Sequence, residues 1–382
     1  MWILDRERYW AFAKAYFICF TALVGLYVVI DAFSNLDEFA KRADGIKELV
    51  PVMGRYYLVH MSEFYDRLCG VISMMAAIFT VTWMQRNNEL LAMLAAGIST
   101  QRVIRPVIVS ALVVSGFAVA NQEWVMPGLA EELQKTHDDD GTRKVQVFGR
   151  LDGNGIFIHG DSGDRNSRTV YSFGVTFPEE IFGKGRDLSA EQACYIPANH
   201  PTAPQTGGWL LRGVPIDEPF VTNQTILVKI TDEKGFPPPV TSVRNLGRET
   251  YFLHTGITFP TLTRNRQWYQ YAPTVDLVRG LADPANEPEK NDIAVFLHGR
   301  LLRPLLALAL LGVTLPLVLG GYGRNMFVNL GYSLATSAVF YATVFVCQYL
   351  GAQSVIPAEL SAWGPLIGFG TFAVARWGAI RS

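Results

Sequence analysis

The sequence is short of the residues that brace small secreted folds or hold metals. Its four cysteines are isolated: Cys19, Cys69 and Cys347 fall in apolar runs and Cys194 stands alone in a polar region, so they read as small buried hydrophobes and not as a disulfide scaffold. The six histidines (60, 137, 159, 200, 254 and 298) lack metal-ligand spacing, and neither a metal nor another cofactor is expected. There is no G-x-x-x-x-G-K-[ST] loop to cradle a triphosphate, so the chain cannot hydrolyse ATP by itself. Excess charge is missing too. A net charge of −1 gives nothing with which to hold a nucleic-acid backbone.

A catalytic constellation is also lacking. "HGDSGD" (159–164) approaches the Gly-Asp-Ser-Gly neighbourhood of a serine nucleophile, but Asp164 stands where a glycine belongs. The segment falls between two predicted strands, where Asp, Ser and Gly serve a turn. The chain therefore reads as no enzyme.

What is present is a pattern of charge-free runs. They cover 15–30, 68–85, 106–122, 304–323, 325–358 and 360–375, each with an apolar centre of helical length. Backbone exposed to lipid must satisfy its own hydrogen bonds, so these runs predict six transmembrane helices, three at each end of the chain. Lys14, Arg67 and Arg376 can snorkel where a run is short. The first run is followed by "DAFSNLDEFAKRADG", which offers no small-x-small cleavage site, and is read as a retained anchor.

Basic residues set the orientation. Arg6, Arg8 and Lys14 precede the first run, Arg86, Arg102 and Arg105 flank the second-to-third connection, Arg324 lies between the fourth and fifth, and Arg376 and Arg381 end the chain. Six spans put all of them on one side, whereas "YLGAQSVIPA" between the fifth and sixth has no Lys or Arg. Both termini are thus expected in the cytoplasm of a multi-pass membrane protein. The 31–67 connection, with mixed charge, is read as a loop.

The stretch 122–299 then lies outside the cytoplasm. Short β-rich runs separated by turn residues fill it: "VQVFGR", "GIFIHG", "TVYSFGVTF", "WLLRGV", "TILVKI" and "YFLHTGITF". The predicted fold class is a membrane α-helical protein, three plus three helices, with an inserted extracytoplasmic all-β domain. Its parts are 1–121 (first three spans), 122–299 (β domain) and 300–382 (last three spans).

Between the second and third runs lies "QRNNELLAMLAAGISTQR" (85–102), read as a cytoplasmic helix over 87–99. From Glu89 onward Leu91, Leu94 and Ile98 share one helical face, and Glu89, Ala92, Ala96 and Ser99 share a smaller, smoother one. Gly97 permits a turn out of the helix, and Pro106 suits the first turn of the next span. A helix lying on lipid headgroups would carry more Lys and Arg, so docking into a groove on a soluble partner is favoured. Asp31, Glu63, Asp66 and Arg67 sit at span ends, where a charge costs less than at the centre.

Several of these segments occur in a known order. "LDRERY" precedes the first run, "LDEFAKRADG" follows it, "NELLAMLAAGIS" separates the second and third, "NQEWVMPGLAEE" leaves the third, and "LLRPLLALALLGVTLPLVLG" occupies the fourth. In this the chain resembles the LptF/LptG (YjgP/YjgQ) permease family, membrane subunits of the ABC transporter that extracts lipopolysaccharide from the inner membrane. The resemblance implies a β domain of jellyroll kind in the periplasm and one half of a pseudo-symmetric dimer with a paralogous permease subunit. It also implies partnership with a cytoplasmic LptB-like ATPase and an LptC-like periplasmic bridge. Glu89, Ala95 and Gly97 match the coupling helix that sits in a groove of the ATPase, with Leu91, Leu94 and Ile98 as its apolar contacts. Lys41 and Arg42 match in position the basic residues that face lipopolysaccharide phosphates. "LDRERY" and "EWVMP" lean toward the LptG side.

Two features depart from the family pattern: Ser62 and Gly70 stand where prolines often enter the second span, and "GGYGRN" has few basic residues. Rival readings are a mechanotransmission-type ABC subunit, a membrane-embedded hydrolase or transferase, and a purely structural envelope protein. Copurification of an ATPase separates the transport readings from the last two.

Overall fold

The computed structural model describes residues 2–42, 46–133, 144–182, 185–201, 205–215, 226–240, 248–320 and 326–379. The chain divides into two compact units: Met1–Asp138 with Gln270–Leu277 and Asn291–Ser382, and Asp139–Tyr269 with Val278–Lys290.

In chain order the first unit opens with α1 (Trp2–Ser34), α2 (Leu36–Arg42), α3 (Ile46–Arg86), α4 (Glu89–Ala95), α5 (Thr100–Ala120), a π-helical turn at Asn121–Val125 and α6 (Met126–Leu133). Among the described residues the second unit holds nine strands: β1 (Val145–Gln146), β2 (Arg150–Leu151), β3 (Phe157–His159), β4 (Ser162–Asp164), β5 (Thr169–Phe177), β6 (Arg186–Ile196), β7 (Gly208–Pro215), β8 (Leu227–Ile230) and β9 (Arg248–His254). Short helices α7 (Glu179–Phe182) and α8 (Phe259–Thr263) interrupt or follow them. The chain closes with α9 (Thr274–Ala282), α10 (Lys290–Gly320), α11 (Met326–Ala352) and α12 (Ala358–Ala379).

Five stretches among the described residues are helical, long and apolar enough to cross a membrane: Asp5–Ser34, Leu49–Arg86, Thr100–Ala130, Pro284–Leu319 and Phe327–Ala352. The last predicted run, 360–375, is helical within α12 but falls outside that set. Ser361, Trp363, Gly364, Pro365, Gly368 and Thr371 dilute its hydropathy. The bundle core joins Phe12 of α1, Met74 and Ile78 of α3, Ile104 and Val107 of α5, Leu310 and Leu315 of α10, and Phe340 of α11. At Gly70 a Cβ would collide with the Tyr341 hydroxyl, so any larger residue there would require the tyrosine ring of α11 to shift.

The helices outrun the apolar runs that announced them. The 31–67 connection, expected as a loop, is almost wholly helical: α1 continues to Ser34 and α3 begins at Ile46. Hydropathy ends where charge begins, but an i→i−4 ladder does not, provided the charges keep to faces that suit them. Tyr57, His60, Phe64 and Cys69 recur three to five residues apart on the buried side of α3. Ser62 and Gly70 lie within the same uninterrupted helix, whose proline is Pro51 near its start. Pro106 is not in the first turn of its helix as expected, because α5 starts at Thr100 and places it inside.

The second unit is one antiparallel sheet in the order β1-β4-β5-β6-β7-β9-β8, with β3 pairing β2 and β5. One core contains Phe173, Phe177, Leu188, Trp209, Leu211, Leu253 and Phe259. Trp209 also donates its indole N–H to the Ile257 carbonyl at 2.9 Å, which satisfies its one buried polar atom. A smaller cluster of Cys194, Ile196, Leu210 and Phe252 is backed by Ile230 and Phe236. "HGDSGD" is the β3–β4 connection and edge, and Asp164 accepts the Ser167 hydroxyl at 2.7 Å and the Asn166 amide at 3.1 Å. Both contacts are those of a turn.

Candidate functional site

The link between α3 and α5 is built by backbone chemistry. Asn88 adopts a left-handed conformation (φ 57°), which Asn tolerates better than most residues, and turns the chain into α4. Nine residues after Asn88, Gly97 (φ 79°) ends the helix. The Ile98 amide donates to the Met93 carbonyl at 3.0 Å and the Gly97 amide to the Leu94 carbonyl at 3.0 Å, the paired bonds of a Schellman motif.

This ending corrects the predicted helix of 87–99. Ile98 lies beyond α4 and, with Leu90 and Met93, packs on Met84, Val103 and Leu319. It therefore does not extend the Leu91–Leu94 face. Those two leucines remain 59% and 40% exposed, beside exposed Glu89, Ala95 and Gly97. Among the described residues Glu89 has no ion-pair partner. One face of α4 is thus seated and the other is open.

Lys41 and Arg42 are the last residues of α2, and their side chains lie outside the described residues. What is fixed is their seat. Phe39, fully buried, meets Tyr56 and Tyr57 of α3 with ring centroids 5.3 and 5.9 Å apart. Just before it Asp31 accepts the Tyr57 hydroxyl at 2.8 Å and the Asn35 side-chain amide at 3.0 Å.

A belt of charge across α3, the π-helical turn and α10 was not anticipated. Arg303 pairs with Asp66 at 2.5 Å, and Arg67 with Glu63 at 2.5 Å. One turn before Arg303, buried Arg300 donates to the carbonyls of Gln122 and Ala272 at 2.7 Å each and lies 3.3 Å from Glu123. Glu123 in turn accepts the first amide of α9, from Thr274, at 3.0 Å, together with the Thr274 hydroxyl. The Tyr271 hydroxyl reaches Glu63 at 3.3 Å, and burial with that carboxylate pushes its pKa up to about 12. Sequence reasoning saw Glu63, Asp66 and Arg67 but not the residues that answer them. The available signal was Arg300 and Arg303, one turn apart at the head of an apolar run.

No group of three or more His, Cys, Asp or Glu able to hold a metal ion occurs among the described residues. Several helices long and apolar enough to cross a membrane, tied by ion pairs, and an inserted sheet are the architecture of a multi-pass membrane protein. The chain matches the family model for the lipopolysaccharide export system permease LptF/LptG over residues 9–378, nearly its whole length, and belongs to that family. No curated protein matches it. Membership makes it a non-catalytic, inner-membrane permease subunit of an ABC transporter that exports lipopolysaccharide.

Proposed function

We propose that this subunit takes ATP-driven motion from a separate cytoplasmic ATPase through α4 and uses it to lift lipopolysaccharide out of the membrane. The carrying observation is the split character of α4: Leu90 and Met93 hold it to the bundle while Glu89, Leu91, Leu94 and Ala95 are offered outward. Gly97 closes the element and Ile98 locks its base from within. Two exposed leucines on one turn suit an apolar groove, and a carboxylate beside them with no ion-pair partner among the described residues suits a cation on its rim.

In this reading six helices, three on each side of the insert, cross the inner membrane with both termini in the cytoplasm. The transmembrane parts are 1–121 and 300–382, and 122–299 is a periplasmic jellyroll-like domain that passes lipid to an LptC-like bridge. Lys41 and Arg42 at the end of α2 meet lipid phosphates. The partner across the dimer is the paralogous permease subunit, and "LDRERY" with "EWVMP" favours the LptG member of the pair.

A photo-crosslinker in place of Leu94 tests the reading in native membranes. An adduct with the ATPase supports it. Adducts with lipid alone return α4 to the membrane surface and refute it.

A further inference from the structure

The seated face of α4 touches more than its two neighbours in sequence. Its floor comprises Met84 at the end of α3, Val103 at the start of α5 and Leu319 at the end of α10. A fourth element enters from α1, where the Arg8 guanidinium meets the Met93 sulfur.

Arg8 is an odd residue for that place. It is only 7% exposed, yet among the described residues its partners are the weak thioether acceptor of Met93 and Asp5 at 3.7 Å, the latter on its own helix. A guanidinium has five N–H donors, and burying it so sparsely paired is costly for stability alone. An aliphatic residue would fill the space at less cost. Position is what distinguishes Arg8: α1 runs unbroken from Trp2 to Ser34, about 50 Å of helix at 1.5 Å per residue. At its far end Asn35 donates to Asp31, and α2 with Lys41 and Arg42 follows directly.

We infer that Arg8 is a positioning residue that carries displacement of α4 into α1, and so to the α2 end of that helix, during lipid extraction. The inference rests on the reading of α4 as the coupling element. Through Met84, Val103 and Leu319 the motion of α4 reaches α3, α5 and α10 by apolar contact, which slides easily. The contact with α1 instead buries a guanidinium against Met93, so a shift of α4 that left α1 behind would strand that charge. Met93 is the matching half of the contact.

The test uses the full complex reconstituted in proteoliposomes, with assembly, ATP hydrolysis and lipopolysaccharide release measured separately. Arg8→Met keeps the packing against Met93 and removes the donors. It should assemble and hydrolyse ATP within twofold of wild type yet release at least fivefold less lipopolysaccharide per ATP, with Arg8→Lys between the two. An Arg8→Cys/Met93→Cys chain joined by a short bifunctional thiol reagent should regain release relative to its unlinked form, which a merely structural role for Arg8 would not produce. Wild-type release per ATP from Arg8→Met, or no gain on linking, overturns the inference. Should Arg8→Met fail to assemble, the linked pair alone decides. Leu94→Glu tells the two claims apart: if it keeps full ATPase assembly, the coupling reading itself falls, whereas lost assembly with an unimpaired Arg8→Met removes only the role of Arg8.

Discussion

Arg303 of α10 reaches across to Asp66 of α3, with Nη1 2.5 Å from Oδ1 and the carboxylate 8% exposed. The pair ties together two helices far apart in sequence. Removing one partner strands the other's charge, at a cost of about 3 to 5 kcal/mol, whereas replacing both with apolar residues is near neutral. Arg303→Met, which strands the buried Asp66 carboxylate, should therefore lower stability to unfolding in mixed micelles by about that amount, Asp66→Leu by less because Arg303 is a third exposed, and Asp66→Leu/Arg303→Met should recover most of the loss. A double-variant loss equal to the sum of the two single losses would show that the pair contributes no coupling.

Gly97 sits in left-handed conformation with nothing within 4 Å of where a Cβ would point. Gly97→Ala meets no clash and is penalised by backbone strain alone, about 1 to 2 kcal/mol. Amide exchange at Ile98, whose hydrogen bond to Met93 closes the motif, should accelerate by about 5- to 30-fold. An unchanged rate would mean that another arrangement ends α4.

The helices were legible as apolar runs and their ends were not. Trp2 to Lys14, and Ile46 to Arg67, carry enough charge to break a hydropathy signal while remaining helical. The sheet divides in the same way. "TVYSFGVTF" is β5 as read, but β6, the longest strand, was passed over. In "RDLSAEQACYI" Leu188, Ala190 and Ala193 are buried and mostly small, and the polar residues between them hide the alternation. In the site, glycine announced the end of α4, but the direction of Ile98 depended on bonds that form only after the helix has stopped.

Asp164 supplies a pH dependence. The Ser167 hydroxyl, then the Asn166 amide, hold its carboxyl below the ordinary value of about 4, against the opposing effect of burial. A depressed folded pKa stabilises above the unfolded value, and that gain is lost as pH falls through the folded one. The group is partly exposed, so the contribution is at most about 1 kcal/mol. Protection of the Asn166 amide should exceed that in Ser167→Ala at pH 6, and the difference should vanish in strong acid. A difference that persists there would contradict the assignment.

For Lys41 and Arg42 the alternative is simple solvation beside Asp37 and Glu38, where surface pairs amount to about 0 to 1 kcal/mol. If they meet lipid phosphates, changing both to Ala should cut lipopolysaccharide crosslinking from the first span several-fold while ATPase assembly persists. Unchanged crosslinking would return them to solvent.

Glu89 bears most directly on the whole account. As a first-turn acid alone it stabilises its helix by about 0.3 to 1 kcal/mol. As the charged contact of a coupling helix it is worth about 1.5 to 3 kcal/mol, or 10- to 100-fold in a coupling equilibrium. The control is exposed Asn87→Ala, since Gln85 is tied to the Val318 carbonyl at 3.2 Å. The measurement is lipopolysaccharide released per ATP hydrolysed by the reconstituted transporter. Glu89→Ala should lose most of that release, or the ATPase itself, while Asn87→Ala keeps both; near-normal release from Glu89→Ala would contradict coupling through this carboxylate.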